Sequence, residues 1–187
     1  ADQVAYMILR NAGITDVSIH HIPGDLTDNY NPREHTLNLS DKVYGSRSIA
    51  AIGVAAHECG HAIQHARHYV PLTVRSAIIP AANIGSSFAW PLVLIGLIIP
   101  RLNFCMTIGI LLFSLVVILQ LVTLPVEFNA SRRAIQIIRD SGYLAPDELK
   151  GAKSVLKAAA MTYVAAMVSV SLQLLRLVIL RNSRDDN

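Results

Sequence analysis

A run of 21 residues without a charged side chain, residues 104–124, limits what this chain can fold into more than any other feature. About 20 apolar residues in a helix match the hydrocarbon core of a bilayer. Two further apolar runs have similar length: residues 78–99, which contain prolines, and residues 158–180, in which Arg176 lies near one end. We therefore predict a mainly α integral membrane protein with three transmembrane helices in this chain.

The composition supports a membrane protein. Of the 187 residues, 52% are apolar, and the mean hydropathy of +0.43 is too high for an ordinary soluble domain. The formal net charge of +3 comes from basic residues beside the apolar runs, without an aromatic-interleaved patch, so nucleic acid is not an expected partner. Because the chain opens with Ala1, we expect it to be part of a longer protein.

The segment before the apolar runs contains short polar and apolar patterns. Residues 4–11 predict an amphipathic helix, and residues 17–22 and 36–40 alternate as strands do. Residues 28–33 between the strands are polar, and we assign them to a loop. We expect the two strands to pair as a small antiparallel sheet whose edge could hold an extended peptide.

The next segment carries a His-Glu-x-x-His pattern formed by His57, Glu58 and His61. Residues four apart share one helix face, so both imidazoles can bind a single Zn²⁺ while Glu58 reaches a water molecule. The alternative is a surface helix with two unconnected histidines. The preceding residues 48–56 are apolar and mostly small, which favours a packed, zincin-like helix, and Ser46 or Ser48 could cap it.

A catalytic zinc site needs a third protein ligand, and membrane topology selects a candidate. The motif precedes the first span, so the ligand must lie on the same side of the bilayer. Two spans return the chain to that side near Pro125, and Glu127 is the first acid that follows. Glu127 could instead form an interfacial ion pair with Arg132 or Arg133.

The distribution of basic residues predicts the orientation. Most of them fall on the motif side: Arg67, Arg75, Arg132, Arg133, Arg139, Lys150, Lys153 and Lys157. The opposite side has fewer: Arg101, Arg181 and Arg184. This bias places the predicted metal site on the cytoplasmic side. The two cysteines, Cys59 and Cys105, suggest no disulfide framework and fit a reducing compartment.

Several other residues are weaker candidates for the site. His65 lies eight residues beyond His57, about 12 Å along a helix, so we expect it at the rim and not as a ligand. His35 could face substrate. Tyr30 and Arg132 could donate a hydrogen bond to the oxyanion of a tetrahedral intermediate. We expect the polar tail, residues 181–187, to fray.

Five segments together resemble the YugP-like putative neutral zinc metallopeptidases, a bacterial membrane family. They are His57-Glu58-Cys59-Gly60-His61-Ala62-Ile63-Gln64, Asp28-Asn29-Tyr30-Asn31-Pro32-Arg33, Glu127-Phe128-Asn129-Ala130-Ser131-Arg132-Arg133-Ala134, Gly142-Tyr143-Leu144 and Tyr163-Val164-Ala165-Ala166. The resemblance covers nearly the whole chain. It implies a zinc cofactor, a peptidase activity and an additional N-terminal span that this sequence lacks.

The segment after Glu127 is also distantly similar to the zinc-ligand region of HtpX-like and prenyl-protein endopeptidases. That similarity implies that Glu127 is the third ligand. Asn129, Ser131 and Arg132 would then lie close enough to contact a ligand or the substrate. These relatives carry an aspartate where this chain has Ser131, so the resemblance does not carry the role of that acid over to this chain.

Our leading hypothesis is a membrane-embedded zinc endopeptidase in which a zinc-activated water attacks the peptide bond and Glu58 is the general base. The alternative is a metal-stabilised membrane scaffold or adaptor without activity. A transporter is disfavoured, since the apolar runs contain no acid or histidine that would mark an ion path.

We expect one membrane metallopeptidase domain over residues 1–187. It would comprise residues 1–75 with the motif helix and sheet, a transmembrane hairpin at 78–124, cytoplasmic helices at 125–157 with the third ligand, and a third span at 158–180. The expected partners are a protein or peptide substrate and the lipid bilayer, with a homo-oligomer or accessory membrane protein left open. The expected location is the bacterial inner membrane.

Overall fold

The computed structural model describes residues 1–185 and their side chains as far as Ser183. Within that range the helices are α1 (Asp2–Asn11), α2 (Ile49–Ala66), α3 (Val70–Ile98), α4 (Asn103–Ser141) and α5 (Pro146–Asp185), with a short 3₁₀ turn at Pro100–Leu102. The strands are β1 (Ser18–His21), β2 (Asn29–Asn31) and β3 (Thr36–Leu39). The predicted mainly α architecture with a small sheet is confirmed.

The chain forms two compact units. One, here called the sheet unit, comprises Ala1–Leu72 and Val126–Met161; the other, the hairpin unit, comprises Thr73–Pro125 and the residues from Thr162 onward. Both α4 and α5 contribute residues to each unit. The predicted metal ligands all belong to the sheet unit.

The sheet unit has its own apolar core, built largely by α1 and α2. Ala5, Ile8 and Leu9 of α1 are buried together with small residues of α2, among them Ala55 and Ala56. Small side chains allow close packing of neighbouring elements, which agrees with the packed helix expected from this segment. Ser48 caps α2: its Oγ accepts a hydrogen bond from the backbone N–H of Ala51 at 3.2 Å.

The sheet is mixed, so the predicted antiparallel pairing of the two longer strands is wrong. Its order is β1-β3-β2, with β1 parallel to β3 and β2 antiparallel to β3. β2 lies within the segment assigned to a loop. The extra strand β2 adds a second chain reversal between β1 and β3. As a result, β1 and β3 run in the same direction.

Three helices are long and apolar enough to cross a membrane by length and composition: Val70–Ile98, Pro100–Ser141 including the 3₁₀ turn, and Pro146–Ser183. The prediction of three candidate spans is confirmed. The predicted hairpin ends at residue 124, immediately before Pro125, whereas α4 continues through this proline to Ser141. Proline removes one backbone hydrogen bond, a loss that an otherwise regular apolar helix tolerates. Similarly, α3 contains Pro80 and Pro91.

The hairpin unit packs α3 closely against α4 and leaves other apolar side chains exposed. A Cβ placed on Gly109 would lie 2.7 Å from the carbonyl oxygen of Ala89, so the two helices approach at the level of the backbone there. Phe88, Ile98 and Leu111 are 58%, 75% and 63% exposed. Exposed apolar surface of this kind is unfavourable in water and suits contact with lipid.

The C-terminal part of α5 differs from the expected frayed tail. The helix continues to Asp185, past Arg181 where fraying was expected to begin. Residues 186 and 187, the end of that tail, lie outside the described residues.

Candidate metal centre

Two helices bring three potential ligand atoms together. His57 and His61 lie one turn apart on α2, and Glu127 lies on α4. The Oε2 atom of Glu127 is 3.2 Å from Nε2 of His57 and 3.6 Å from Nε2 of His61. All three ligand atoms lie within 4.8 Å of one another. The side chain of Glu127 is only 3% exposed, so this carboxylate lies almost entirely away from solvent.

The chemistry and spacing of these atoms fit zinc. Tetrahedral Zn²⁺ with bonds of about 2.0–2.1 Å separates neighbouring ligand atoms by about 3.3 Å. The two nitrogen-to-oxygen distances of 3.2 and 3.6 Å bracket that value. Two imidazoles and one carboxylate leave a fourth position open, the arrangement typical of catalytic rather than structural zinc.

A hydrogen-bond chain fixes which nitrogen of His61 faces Glu127. Gln64 Nε2 donates to the carbonyl oxygen of Val126 at 2.9 Å and to Oδ1 of Asn129 at 3.0 Å. The amide oxygen of Gln64 therefore faces Nδ1 of His61, 3.0 Å away. Since that oxygen only accepts, Nδ1 carries the proton and Nε2 keeps its lone pair for a metal. Arg133 Nε donates to Asn129 Oδ1 at 2.7 Å and fixes the amide of Asn129 as well.

His57 has a corresponding partner in Ser131. Ser131 Oγ lies 3.1 Å from Nδ1 of His57. When Nε2 binds a metal, Nδ1 carries the hydrogen and donates it to this hydroxyl. Ser131 therefore contacts a potential metal ligand at the position where the distantly similar endopeptidases carry an aspartate. In this chain the contact is made by a neutral hydroxyl and not by a carboxylate.

The spacing between the two ligand helices is set by a glycine inside the motif. A Cβ placed on Gly60 would lie 2.6 Å from the carbonyl oxygen of Ala130 and 3.1 Å from its Cα. Gly60 lies between His57 and His61, and Ala130 lies one turn beyond Glu127. The direct approach of α2 to the α4 backbone thus brings all three ligands within reach of one ion.

Glu58 lies beside the ligands without joining them. Burial raises the pKa of this carboxyl, the charges of His61 and His57 oppose the shift, and the nearby carboxylates of Glu127 and Asp28 add to it. Burial lowers the pKa of His61, but its contacts with Glu127 and the charge of Glu58 outweigh burial, and the pKa is raised overall.

The weaker candidates form a separate group. Tyr30 Oη lies 2.9 Å from Nδ1 of His65, and the rings of His35 and His65 meet edge to face at 5.5 Å. His35 Nδ1 lies 2.6 Å from a carboxylate oxygen of Asp16. Among the described residues, the three-ligand group includes none of these side chains. Arg132 is exposed and lines a groove between α4 and α5.

The family model described as "Putative neutral zinc metallopeptidase" matches residues 1–182. The chain belongs to that family. The resemblance proposed from the sequence is thereby confirmed, and so is the expected zinc cofactor of the family. In this member of the family, His57, His61 and Glu127 are the residues that could hold the ion.

The protein is also similar to a curated relative, "Putative membrane protease YugP" from Bacillus subtilis (strain 168). The two sequences are 47% identical over 186 residues, which cover 99% of this chain and 82% of the relative. No solved structure matches.

Sequence reasoning missed Gln64 and the role of Arg133. Gln64 is completely buried three residues after His61, whereas the other buried residues of α2 are apolar or glycine. A polar side chain at that spacing shares a helix face with the histidine, so its position was a signal. Arg133 carried no comparable signal, because its partner Asn129 becomes meaningful only once the contact with Gln64 is known.

Proposed function

We propose that the protein is a membrane-embedded zinc endopeptidase whose active site faces the cytoplasm. One observation carries the proposal: in a member of a zinc metallopeptidase family, a buried carboxylate oxygen of Glu127 lies 3.2 and 3.6 Å from the outer ring nitrogens of His57 and His61. A solvated ion pair of Glu127 with an arginine would not require this burial or this convergence.

His57, His61 and Glu127 would hold the metal ion. A zinc ion supplies Lewis-acid chemistry, which polarises a peptide carbonyl and makes a water molecule more acidic. Gln64 keeps the imidazole of His61 in the tautomer whose Nε2 lone pair faces the other ligands, and Ser131 can accept the Nδ1 hydrogen of His57 in that same tautomer. The hydrogen bonds to the ring nitrogens therefore orient the ligands before substrate arrives.

Glu58 acts as the proton carrier. The charges of His61, His57 and Glu127 all act on its carboxyl group, and in a His-Glu-x-x-His helix the glutamate reaches the water that is activated at the metal. It accepts a proton from the attacking water and gives that proton to the amine that leaves when the peptide bond breaks. Burial raises the pKa of Glu58, which makes its carboxylate a stronger base than an exposed glutamate.

The substrate and location follow from the membrane character of the chain. The relative bears the name "Putative membrane protease YugP", and three helices here have the length and composition of membrane spans. The excess of basic residues on the motif side supports a cytoplasmic active site in the bacterial inner membrane. The substrates are then proteins or peptides that reach the membrane surface.

Glu58→Gln separates metal binding from catalysis. Purified protein should contain about one zinc per chain, measured by atomic emission. The variant should keep its zinc and lose cleavage of a quenched-fluorescence peptide library. Glu34→Gln, at an exposed loop position, is the matched control and should behave as wild type.

Two results would contradict the proposal. Unchanged cleavage by Glu58→Gln would remove the general base from the mechanism. The metal-stabilised scaffold would be favoured if two observations were made together. The zinc-loaded wild-type protein would cleave no peptide, and the Glu58→Gln variant would fully rescue a deletion strain.

A further inference from the structure

A groove between α4 and α5 in the sheet unit has no role in the mechanism described above. Its volume is about 430 Å³, within the range of roughly 300–1,000 Å³ that is typical of ligand sites. Its apolar lining includes Phe128 and Ile135 of α4 and Leu156 of α5. Phe128 is 42% exposed, whereas Leu156 is buried, so the groove presents a wall for an apolar side chain.

The same groove carries positive charge. Arg132 of α4 and both Lys153 and Lys157 of α5 line it, and all three are exposed. Among the described residues that line the groove, none is acidic. An occupant with negative charge near an apolar group would therefore be complementary to this surface.

The groove also adjoins the metal centre. Ser131 is one of its lining residues, and the Oγ atom of Ser131 is 3.1 Å from Nδ1 of His57. A single side chain thus separates the groove from a metal ligand. A chain segment lying in the groove would be within a few residues of a peptide bond at the metal.

We propose that this groove is a substrate subsite that selects peptides with an apolar side chain next to an acidic one. The inference rests on the proposed peptidase function and adds the substrate class to it. The apolar wall takes the hydrophobic side chain, and Arg132, Lys153 and Lys157 attract the carboxylate. The contact of Ser131 with His57 favours a substrate over an anionic lipid, since a lipid site would not need to adjoin a metal ligand.

The test compares two peptides with the zinc-loaded protein in detergent micelles. Both peptides have the same apolar sequence and differ at one position, which is Glu in one peptide and Gln in the other. Wild type should give a higher kcat/KM for the Glu peptide. Lys157→Gln should lower the Glu-to-Gln ratio about twofold to fivefold, as expected for one partly exposed ion pair. Lys157→Glu should lower the Glu-to-Gln ratio further than Lys157→Gln does, because it removes one positive charge and adds a negative one while Arg132 and Lys153 remain.

Lys150→Gln is the matched control for charge. Lys150 lies on the same helix and pairs with Asp147 at 3.2 Å, but it does not line the groove. This variant loses the same charge as Lys157→Gln and should keep the wild-type ratio. If it lowers the ratio as much, the effect comes from net charge and the subsite is refuted.

Binding to the Glu58→Gln variant distinguishes failure of the groove from failure of the proposed function. Preferred, Lys157-dependent binding of the Glu peptide would support the subsite even if wild type cleaved neither peptide. Equal binding and equal cleavage of both peptides would overturn the inference while leaving the peptidase intact. Loss of binding to phosphatidylglycerol vesicles in Lys157→Gln, with no change in peptide preference, would assign the groove to lipid and overturn it.

Discussion

Gly60→Ala is expected to damage the metal centre without touching a ligand. The new Cβ would lie 2.6 Å from the carbonyl oxygen of Ala130, whereas ordinary contacts begin at 3.4 Å, so α2 and α4 must separate by about 0.8 Å. The obstacle is backbone, which cannot rotate away as a flexible side chain would. The two backbones are forced apart at a point that lies between His57 and His61 on α2. On α4 this point is one turn from Glu127.

The magnitude follows from the tolerance of zinc. Ligand distances at a genuine site hold to within about 0.2 Å, so a separation several times larger cannot be absorbed by bond stretching alone. Overpacking of a well-packed contact costs about 1–3 kcal/mol. If that strain falls on the zinc-bound state, zinc affinity drops about fivefold to 150-fold, since 1.4 kcal/mol corresponds to a factor of ten.

The assay is competition for zinc with a chromophoric chelator, combined with thermal unfolding of the metal-free protein. Gly53→Ala provides the matched control on the same helix, because its Cβ would lie at an ordinary 3.7 Å from the Cβ of Ala152. That control should keep wild-type zinc affinity and gain about 0.5–1 kcal/mol from removal of a helical glycine. Wild-type zinc affinity in Gly60→Ala would refute the reasoning, as would an equal loss in Gly53→Ala.

Three further predictions concern the residues around the ligands. Gln64→Met keeps the side-chain size but removes the acceptor of His61 Nδ1, so zinc affinity should fall about 10-fold to 100-fold in the same competition assay. Ser131→Asp should instead raise zinc affinity, because a carboxylate accepts the Nδ1 hydrogen of His57 more strongly than a hydroxyl; unchanged affinity would show that this contact is unimportant. Zinc binding should weaken as the pH falls through the raised pKa of His61, because only the unprotonated Nε2 binds metal. Zinc titrations at several pH values, with measurement of the protons released, test this. A zinc affinity that does not change with pH would contradict it.

Much of the site could be predicted from the sequence because its signals are local or topological. The spacing of His57 and His61 fixes their common helix face without knowledge of the tertiary structure. Glu127 could be selected because it is the first acid after two predicted spans return the chain to the motif side. The apolar runs similarly predicted the long helices, since their length and lack of charge are properties of the sequence alone.

The remaining features depend on contacts that sequence spacing does not encode. β2 is three residues long and polar, so its pattern resembled a loop, and missing it reversed the predicted direction of β1 relative to β3. Pro125 looked like a helix end because proline usually is one, yet the apolar helix continues through it. The contact of Gly60 with Ala130 joins two helices far apart in the chain, so only the structure reveals why a side chain is excluded there.

The direction of the hydrogen bonds that end at His61 has a consequence for metal uptake. The chain of hydrogen bonds begins at Arg133, whose guanidinium can donate hydrogen bonds but cannot accept them. Asn129 and Gln64 therefore cannot both turn over, and the proton on the neutral imidazole of His61 stays on Nδ1. An arriving metal ion meets a ring that needs no tautomer exchange before it binds. The metal-free protein is thus prepared for its ion by an arginine that never touches it.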